Sequence, residues 1–302
     1  MTSCSACRAP LWSRRVAGRG AWYAGWVPFV PLTIPPDDAT APAPCRWYTV
    51  RRAELLVVDG EGDATAARLP QPHPQLATAS DTEPIFLGVA DAQPCWAQGV
   101  SVEAPAPPGT RWIPLLALSV ELGAEEWAVA GRAVQLVEWH RTSRYCGRCG
   151  RPTIAVLTER AMRCAACGLV AYPRLAPAVI VAVRREGEIL LARNARFRGR
   201  MFSTLAGFVE PGETLEQAVH REVGEEVGVR LRRVTYFGSQ PWPFPHSLMV
   251  GFVADWAGGE IAVDGDEIAE AAWWRPDSLP ELPPPTSIAR QMIDAWLGGG
   301  AV

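Results

Sequence analysis

The chain has 302 residues, 48% of them apolar, and a net charge of −3: enough to bury more than one core, and too acidic to hold nucleic acid by bulk attraction. Its 29 basic residues are all arginine, which excludes lysine Schiff-base chemistry and leaves phosphate contacts to arginine, backbone amides or metal. No stretch reaches the ~20 apolar residues of a membrane span, and no basic segment followed by an apolar run opens the sequence, so a cytoplasmic protein with thiol or metal-bound cysteines is expected.

Residues 1–132 form one expected domain, proline-rich, with short apolar strands at 47–50, 55–58 and 85–90 and proline-interrupted loops at 28–44 and 104–114. Cys4 and Cys7 have no matching second pair and are expected in a mobile terminus. Residues 124–142 carry helical periodicity, weakened by about 1 kcal/mol at Gly131. Cys146, Cys149, Cys164 and Cys167 follow in the spacing C-x2-C-x14-C-x2-C. Four thiolates so spaced predict a structural Zn²⁺ site in a ribbon over 141–173. The last unit, 174–302, begins with apolar runs at 178–183 and 189–192 that predict a hairpin. Strands at 229–239, 248–256 and 271–275 and helices at 214–227 and 287–297 complete a mixed α/β sandwich. No internal repeat is visible.

Within the first of these two helices, Glu222, Glu225 and Glu226 stand at i, i+3 and i+4, so their carboxylates share one face. Like charges at that spacing repel unless a hard divalent cation, Mg²⁺ or Mn²⁺, lies among them. Gly212 supplies a tight turn into the helix, Gly228 a C-cap, and Gly224 costs about 1 kcal/mol inside it. Residues 207–229 fit G-x5-E-x7-R-E-U-x-E-E-x-G-U, with U apolar, and resemble the Nudix box at every specified position, Gly207, Glu213, Arg221 and Gly228 included. The resemblance implies pyrophosphate hydrolysis on an α/β/α sandwich, with Glu222, Glu225 and Glu226 as metal ligands and Glu226 also as base. It implies bracing roles for Glu213 and Arg221. Glu267 is the candidate for a fourth acidic ligand from outside the box.

Residues 239–247 read SQPWPFPHS. Three prolines stiffen this segment, and rigid Trp242 and Phe244 beside polar groups suit flat rings and sugar hydroxyls. It resembles the SQPWPFPxS array of bacterial NADH pyrophosphatases, zinc-ribbon Nudix hydrolases with a divergent N-terminal α/β domain. That resemblance implies substrate contacts at Gln240, Pro241, Trp242, Pro243, Phe244, Pro245, His246 and Ser247, and at Glu159, Tyr172, Ala206, Phe208 and Ala289. It further implies cleavage of NAD(H) to nicotinamide mononucleotide and AMP, removal of NAD caps from RNA 5′ ends, and a homodimer. The alternatives are a broader ADP-ribose or dinucleotide pyrophosphatase, and a non-catalytic nucleotide-sensing module.

Overall fold

The computed structural model describes residues 29–33, 35, 45–58, 69, 80–91, 93–196, 199–263 and 265–299. Cys4 and Cys7 lie outside them. The first unit runs through β1 (Arg46–Arg51), β2 (Glu54–Val58), β3 (Ile85–Ala90), β4 (Gln93–Gly99), β5 (Thr110–Pro114) and α1 (Ala124–Thr142). The ribbon follows as β6 (Thr153–Ala155), β7 (Met162–Cys164) and β8 (Val170–Ala171). The third unit holds β9 (Ala176–Arg185), β10 (Glu188–Asn194), β11 (Leu205–Phe208), α2 (Leu215–Val227), β12 (Arg230–Trp242), β13 (Ser247–Gly258), β14 (Ile268–Trp274) and α3 (Ile288–Leu297).

The first sheet is ordered β3-β4-β1-β2-β5 and the last β12-β13-β9-β10-β14, with β11 pairing β9 from off that path. Counting the path strands of each half in chain order, both sheets read third, fourth, first, second, fifth. In both, the only parallel pair joins the first strand to the fourth, β1 to β4 and β9 to β13. The helix after the fifth strand packs on the same part of each sheet. The expectation of no internal repeat is therefore corrected: the architecture repeats although the residues do not, because a sheet constrains only which positions are apolar. Among the described residues, β11 and α2 have no counterpart in the first half.

Two strands depart from the sequence reading. β5 occupies the end of the 104–114 stretch expected to be a loop, and it can do so because it is an edge strand, paired to β2 alone, with Pro114 at its limit. β4 was not anticipated; its Gln-Pro-Cys-Trp start hides the alternation, yet it is central and buries Cys95 and Ala97.

The first unit's core is completed by the other two. Met162 and Ala171 of the ribbon and Trp242 and Phe244 of the last unit join the cluster built on Leu55, Leu87, Leu118, Trp127 and Val137. Trp127, half way down the first turns of α1, lies 6.2 Å from Trp242 and 6.4 Å from Phe244, ring centre to ring centre, and its indole N–H donates to the Leu115 carbonyl at 2.9 Å. Gly131, one turn on, is the helix glycine that looked like a weakness. A β-carbon there would come within 2.9 Å of Pro243. Its absence lets the proline ring seat directly on the helix backbone. Arg160 of the ribbon adds a polar fastener, donating to the carbonyls of Leu32 at 2.7 Å and Phe86 at 2.9 Å.

The two helical glycines should respond oppositely to substitution. Gly131→Val drives side-chain atoms into Pro243 and is expected to destabilise by about 1–3 kcal/mol. Gly224, whose added β-carbon would meet nothing within 4 Å, should gain up to about 1 kcal/mol as Gly224→Ala. Urea unfolding midpoints of the two variants check the contrast.

Candidate functional site

α2 starts from a capping box. The Thr214 hydroxyl accepts from the Gln217 amide at 3.2 Å, and the Gln217 side chain accepts from the Thr214 amide at 2.8 Å. The Thr-x-x-Gln spacing is the sequence signal of this cap. Gly228 ends the helix at φ 73°, the left-handed cap expected of it. Val219, Val223 and Val227 face the sheet and are fully buried, which turns the glutamate stripe toward β11.

Arg221 organises that stripe. Its Nε and one Nη grip Glu213 at 2.6 and 2.9 Å, the other Nη donates to Glu222 at 2.9 Å and Glu225 at 3.0 Å, and the fifth N–H meets the Phe208 carbonyl at 2.9 Å. All five guanidinium donors are used. The pair with Arg221, helped by the Glu210 amide, holds the Glu213 carboxyl down at about 2. The Glu222 carboxyl moves the other way, raised by burial against the pull of Arg221, with Glu225 and Glu267 adding to the rise. Glu267 is thus near enough for its charge to act on Glu222. Glu267 also pairs with Arg196 at 3.7 Å.

The three box carboxylates differ in depth. Glu225 is open to solvent, Glu222 lies over Gly207 so closely that any β-carbon there would overlap its carboxylate, and Glu226 is only 5% exposed. A carboxylate at that depth is costly unless positive charge or hydrogen bonds compensate it. An all-oxygen donor set graded from core to surface fits a hard divalent cation.

At the ribbon, the Sγ atoms of Cys146 and Cys167, of Cys149 and Cys164, and of Cys149 and Cys167 are 3.5, 3.5 and 3.6 Å apart. Four sulfurs at ~2.3 Å from a tetrahedral zinc would be ~3.8 Å from one another, whereas a disulfide would bring two to ~2 Å. The geometry fits zinc and not cystines. The Arg148 and Cys149 amides pull the Cys146 thiol down to about 6, so the first knuckle is shaped for a thiolate. Among the described residues, these four form the only cluster of metal-ligating groups within 4.8 Å of one another. The box carboxylates are held apart by the guanidinium between them.

The other expected contacts divide into two groups. Tyr172 and Phe208 are each 56% exposed, Ala206 is exposed, and the Tyr172 hydroxyl donates to Glu159 at 3.0 Å. Glu159 raises the Tyr172 phenol, with Arg163 opposing it. These residues stand at one end of the β9 sheet, where Ala178 pairs with Phe208 and Ala176 with Ser247. The 239–247 array is different. Gln240 spends both ends of its amide on α3, accepting from Ile288 and donating to Thr286 at 2.8 Å each. Trp242 and Phe244 are half-buried against Trp127, Pro243 and Ser247 are buried, and the His246 carbonyl accepts from Ala176 at 3.0 Å. Pro241 and Pro245 are exposed; Ala289 lies on the buried face of α3. Trp242 and Phe244, the rings expected to suit a flat ligand, therefore share their apolar surface with Trp127.

Two outcomes should follow from this geometry. Because Glu213 titrates lower folded than unfolded, its ion pair stabilises fully above the ordinary carboxylate range of about 4.3 and is lost as pH falls through about 2. Stability measured from pH 6 to pH 2 should therefore fall away in the lowest part of that range, and Glu213→Gln should remove that component. Cys164→Ser should abolish stoichiometric zinc and lower the melting temperature; unchanged zinc by atomic absorption would refute the site.

The chain matches three domain families in order: the NADH pyrophosphatase-like rudimentary NUDIX domain over residues 44–139, the NADH pyrophosphatase zinc ribbon domain over 141–172, and the NUDIX domain over 174–296. It is 44% identical over 264 residues to a Deinococcus radiodurans protein named NAD-capped RNA hydrolase NudC, covering 85% of this chain and 90% of that one. A Pseudomonas fluorescens protein of the same name is 47% identical over 211 residues, covering 70% and 76%. A NUDIX hydrolase crystal structure from Nitrosomonas europaea aligns over 52% of this chain and 92% of its own, at 21% identity and a TM-score of 0.44. With the box, the ribbon and the rudimentary first domain all in place, the chain belongs to the zinc-ribbon NUDIX hydrolases that include the NAD-capped RNA hydrolases.

Proposed function

We propose that this protein hydrolyses the pyrophosphate of NAD(H), releasing nicotinamide mononucleotide and AMP, and acts on the same linkage where NAD caps an RNA 5′ end. The observation that carries the reading is the Arg221-braced face of Glu222, Glu225 and Glu226, intact in a chain that matches both NADH pyrophosphatase-specific domains. A pure sensor has no need of all three acids.

Attack of water in line on phosphorus needs charge neutralised on the phosphate oxygens and a proton taken from the water. Glu222, Glu225 and Glu226, with Glu267 as the candidate fourth acid, would hold Mg²⁺ or Mn²⁺, which would supply the neutralisation and make water a better nucleophile. Glu226, only 5% exposed, accepts the proton. Arg221 holds Glu222 and Glu225 in place and keeps the α2 start against β11 through the Phe208 carbonyl. Phe208 and Tyr172, the exposed rings at that end, offer stacking faces for the base and nicotinamide, with Glu159 and Ala206 alongside. Residues 240–247 and Ala289 act behind them, fixing α1 and α3 around the site. A homodimer and a cytoplasmic location go with this reading; no helix among the described residues is long and apolar enough to cross a membrane.

The test is product analysis with NADH, NAD⁺, ADP-ribose and NAD-capped RNA in Mg²⁺ or Mn²⁺. AMP and nicotinamide mononucleotide from NADH are expected, and faster turnover of ADP-ribose would overturn the assignment. Glu226→Gln should lower turnover by ~100-fold or more with the melting temperature retained.

A further inference from the structure

From 142 to 174 the chain carries six arginines and one acidic residue, Glu159, within a protein whose net charge is −3. Arg144, Arg148, Arg151, Arg163 and Arg174 are exposed, and none of the five makes an ion pair among the described residues. Elsewhere Arg46, Arg51, Arg141, Arg184, Arg185, Arg193 and Arg290 each hold a carboxylate, and the exposed arginines without one among the described residues, Arg52, Arg200, Arg230, Arg232 and Arg233, stand outside the ribbon. Even after the zinc–thiolate centre takes two charges from its sum, the ribbon stays strongly positive.

The ribbon sheet has two distinct faces. Across one, Ala155, Met162 and Ala171 stand opposite one another, and Met162 and Ala171 pack into the first unit's core. Across the other, Ile154, Arg163 and Val170 are paired, and Ile154 is largely exposed. Alternation along the strand brings Tyr172 to this outer face, and the electrostatic effect of Arg163 on Tyr172 agrees. The face leads toward the sheet end that carries Phe208, because only five residues lie between Tyr172 and Ala178, the β9 partner of Phe208. An unmatched guanidinium between apolar and aromatic side chains on a narrow sheet suits single strands: phosphates meet the charge, and unstacked bases lie on the flat side chains.

We propose that the outer face of the zinc ribbon, Ile154, Arg163, Val170 and Tyr172, together with Arg148 and Arg151 of the first cysteine knuckle that leads into β6, carries the single-stranded RNA that follows the cap. This rests on the reading that capped RNA is a substrate, and it gives the ribbon a task beyond structure. NAD has no chain beyond its two nucleotides to lay along the ribbon, whereas a capped RNA continues with one.

The experiment compares the full-length protein with Arg151→Glu/Arg163→Glu and the milder Arg151→Gln/Arg163→Gln, both checked for one zinc per chain. The probe is an uncapped 5′-monophosphate single-stranded RNA of about 20 nucleotides, read by fluorescence anisotropy across salt, with two phosphate contacts removed lowering the log–log salt slope by about 1.4. Affinity should fall at least ~10-fold for the Glu pair, kcat/KM for NAD-capped RNA should fall with it, and kcat/KM for NAD should stay within about twofold. Unchanged RNA affinity in both variants with zinc intact would overturn the proposal. So would equal binding of a poly-glutamate chain, which would assign the face to an acidic protein instead. Failure of the unmodified protein to cleave NAD would overturn the function proposed above, while the uncapped-RNA arm still decides the ribbon.

Discussion

The saturated guanidinium of Arg221 is the constraint on which the site depends. Three glutamates on one helix face would push apart, and a planar fork with five donors is the side chain able to bind a fourth acid bidentately, separate two others and still reach a main-chain carbonyl. Lysine has three donors from one point and cannot span that set. Through the Phe208 carbonyl the same group joins α2 to β11, and β11 is joined to β9, which receives the ribbon. The chemistry of the box and the attachment of its neighbours thus pass through one side chain.

Much of the site was legible in the sequence because its parts are local. Glu213 to Gly228 lie within a single turn and helix, so helical spacing alone puts the acids together, and the cysteine pairs are two knuckles whose spacing sets sulfur positions. What was not legible depends on distant partners. Nothing near Trp242 signals that Trp127 waits for it on α1, nor that Pro243 needs Gly131 to be bare. Gln240 reads as a ligand-facing amide until α3 returns to take both its atoms. The proline-stiffened segment also packs on α1 through Pro243 and bonds the start of α3 through Gln240. β5 and β4 were obscured for another reason: prolines at an edge strand's limit and a central strand's start imitate a loop.

The shared strand order of the two halves was also out of reach of sequence reading. Sheet order is set by which strands pair across long separations, and quite different residues can satisfy the same pairing. The halves are nevertheless unequal in their dependence. The first half's core is finished with Met162, Ala171, Trp242 and Phe244, none of which it encodes itself. The last unit closes its own core around α2 and α3.

The missing β-carbon of Gly131 has a consequence for how this chain can change. A methyl group at that position would lift Pro243 and loosen the hairpin that holds α3. Gly88 and Gly99 of the same half are equally intolerant, because a β-carbon on either would run into Val30 or into Asp81 and Thr82. Among its described residues, the first half thus depends at three places on a side chain that is absent.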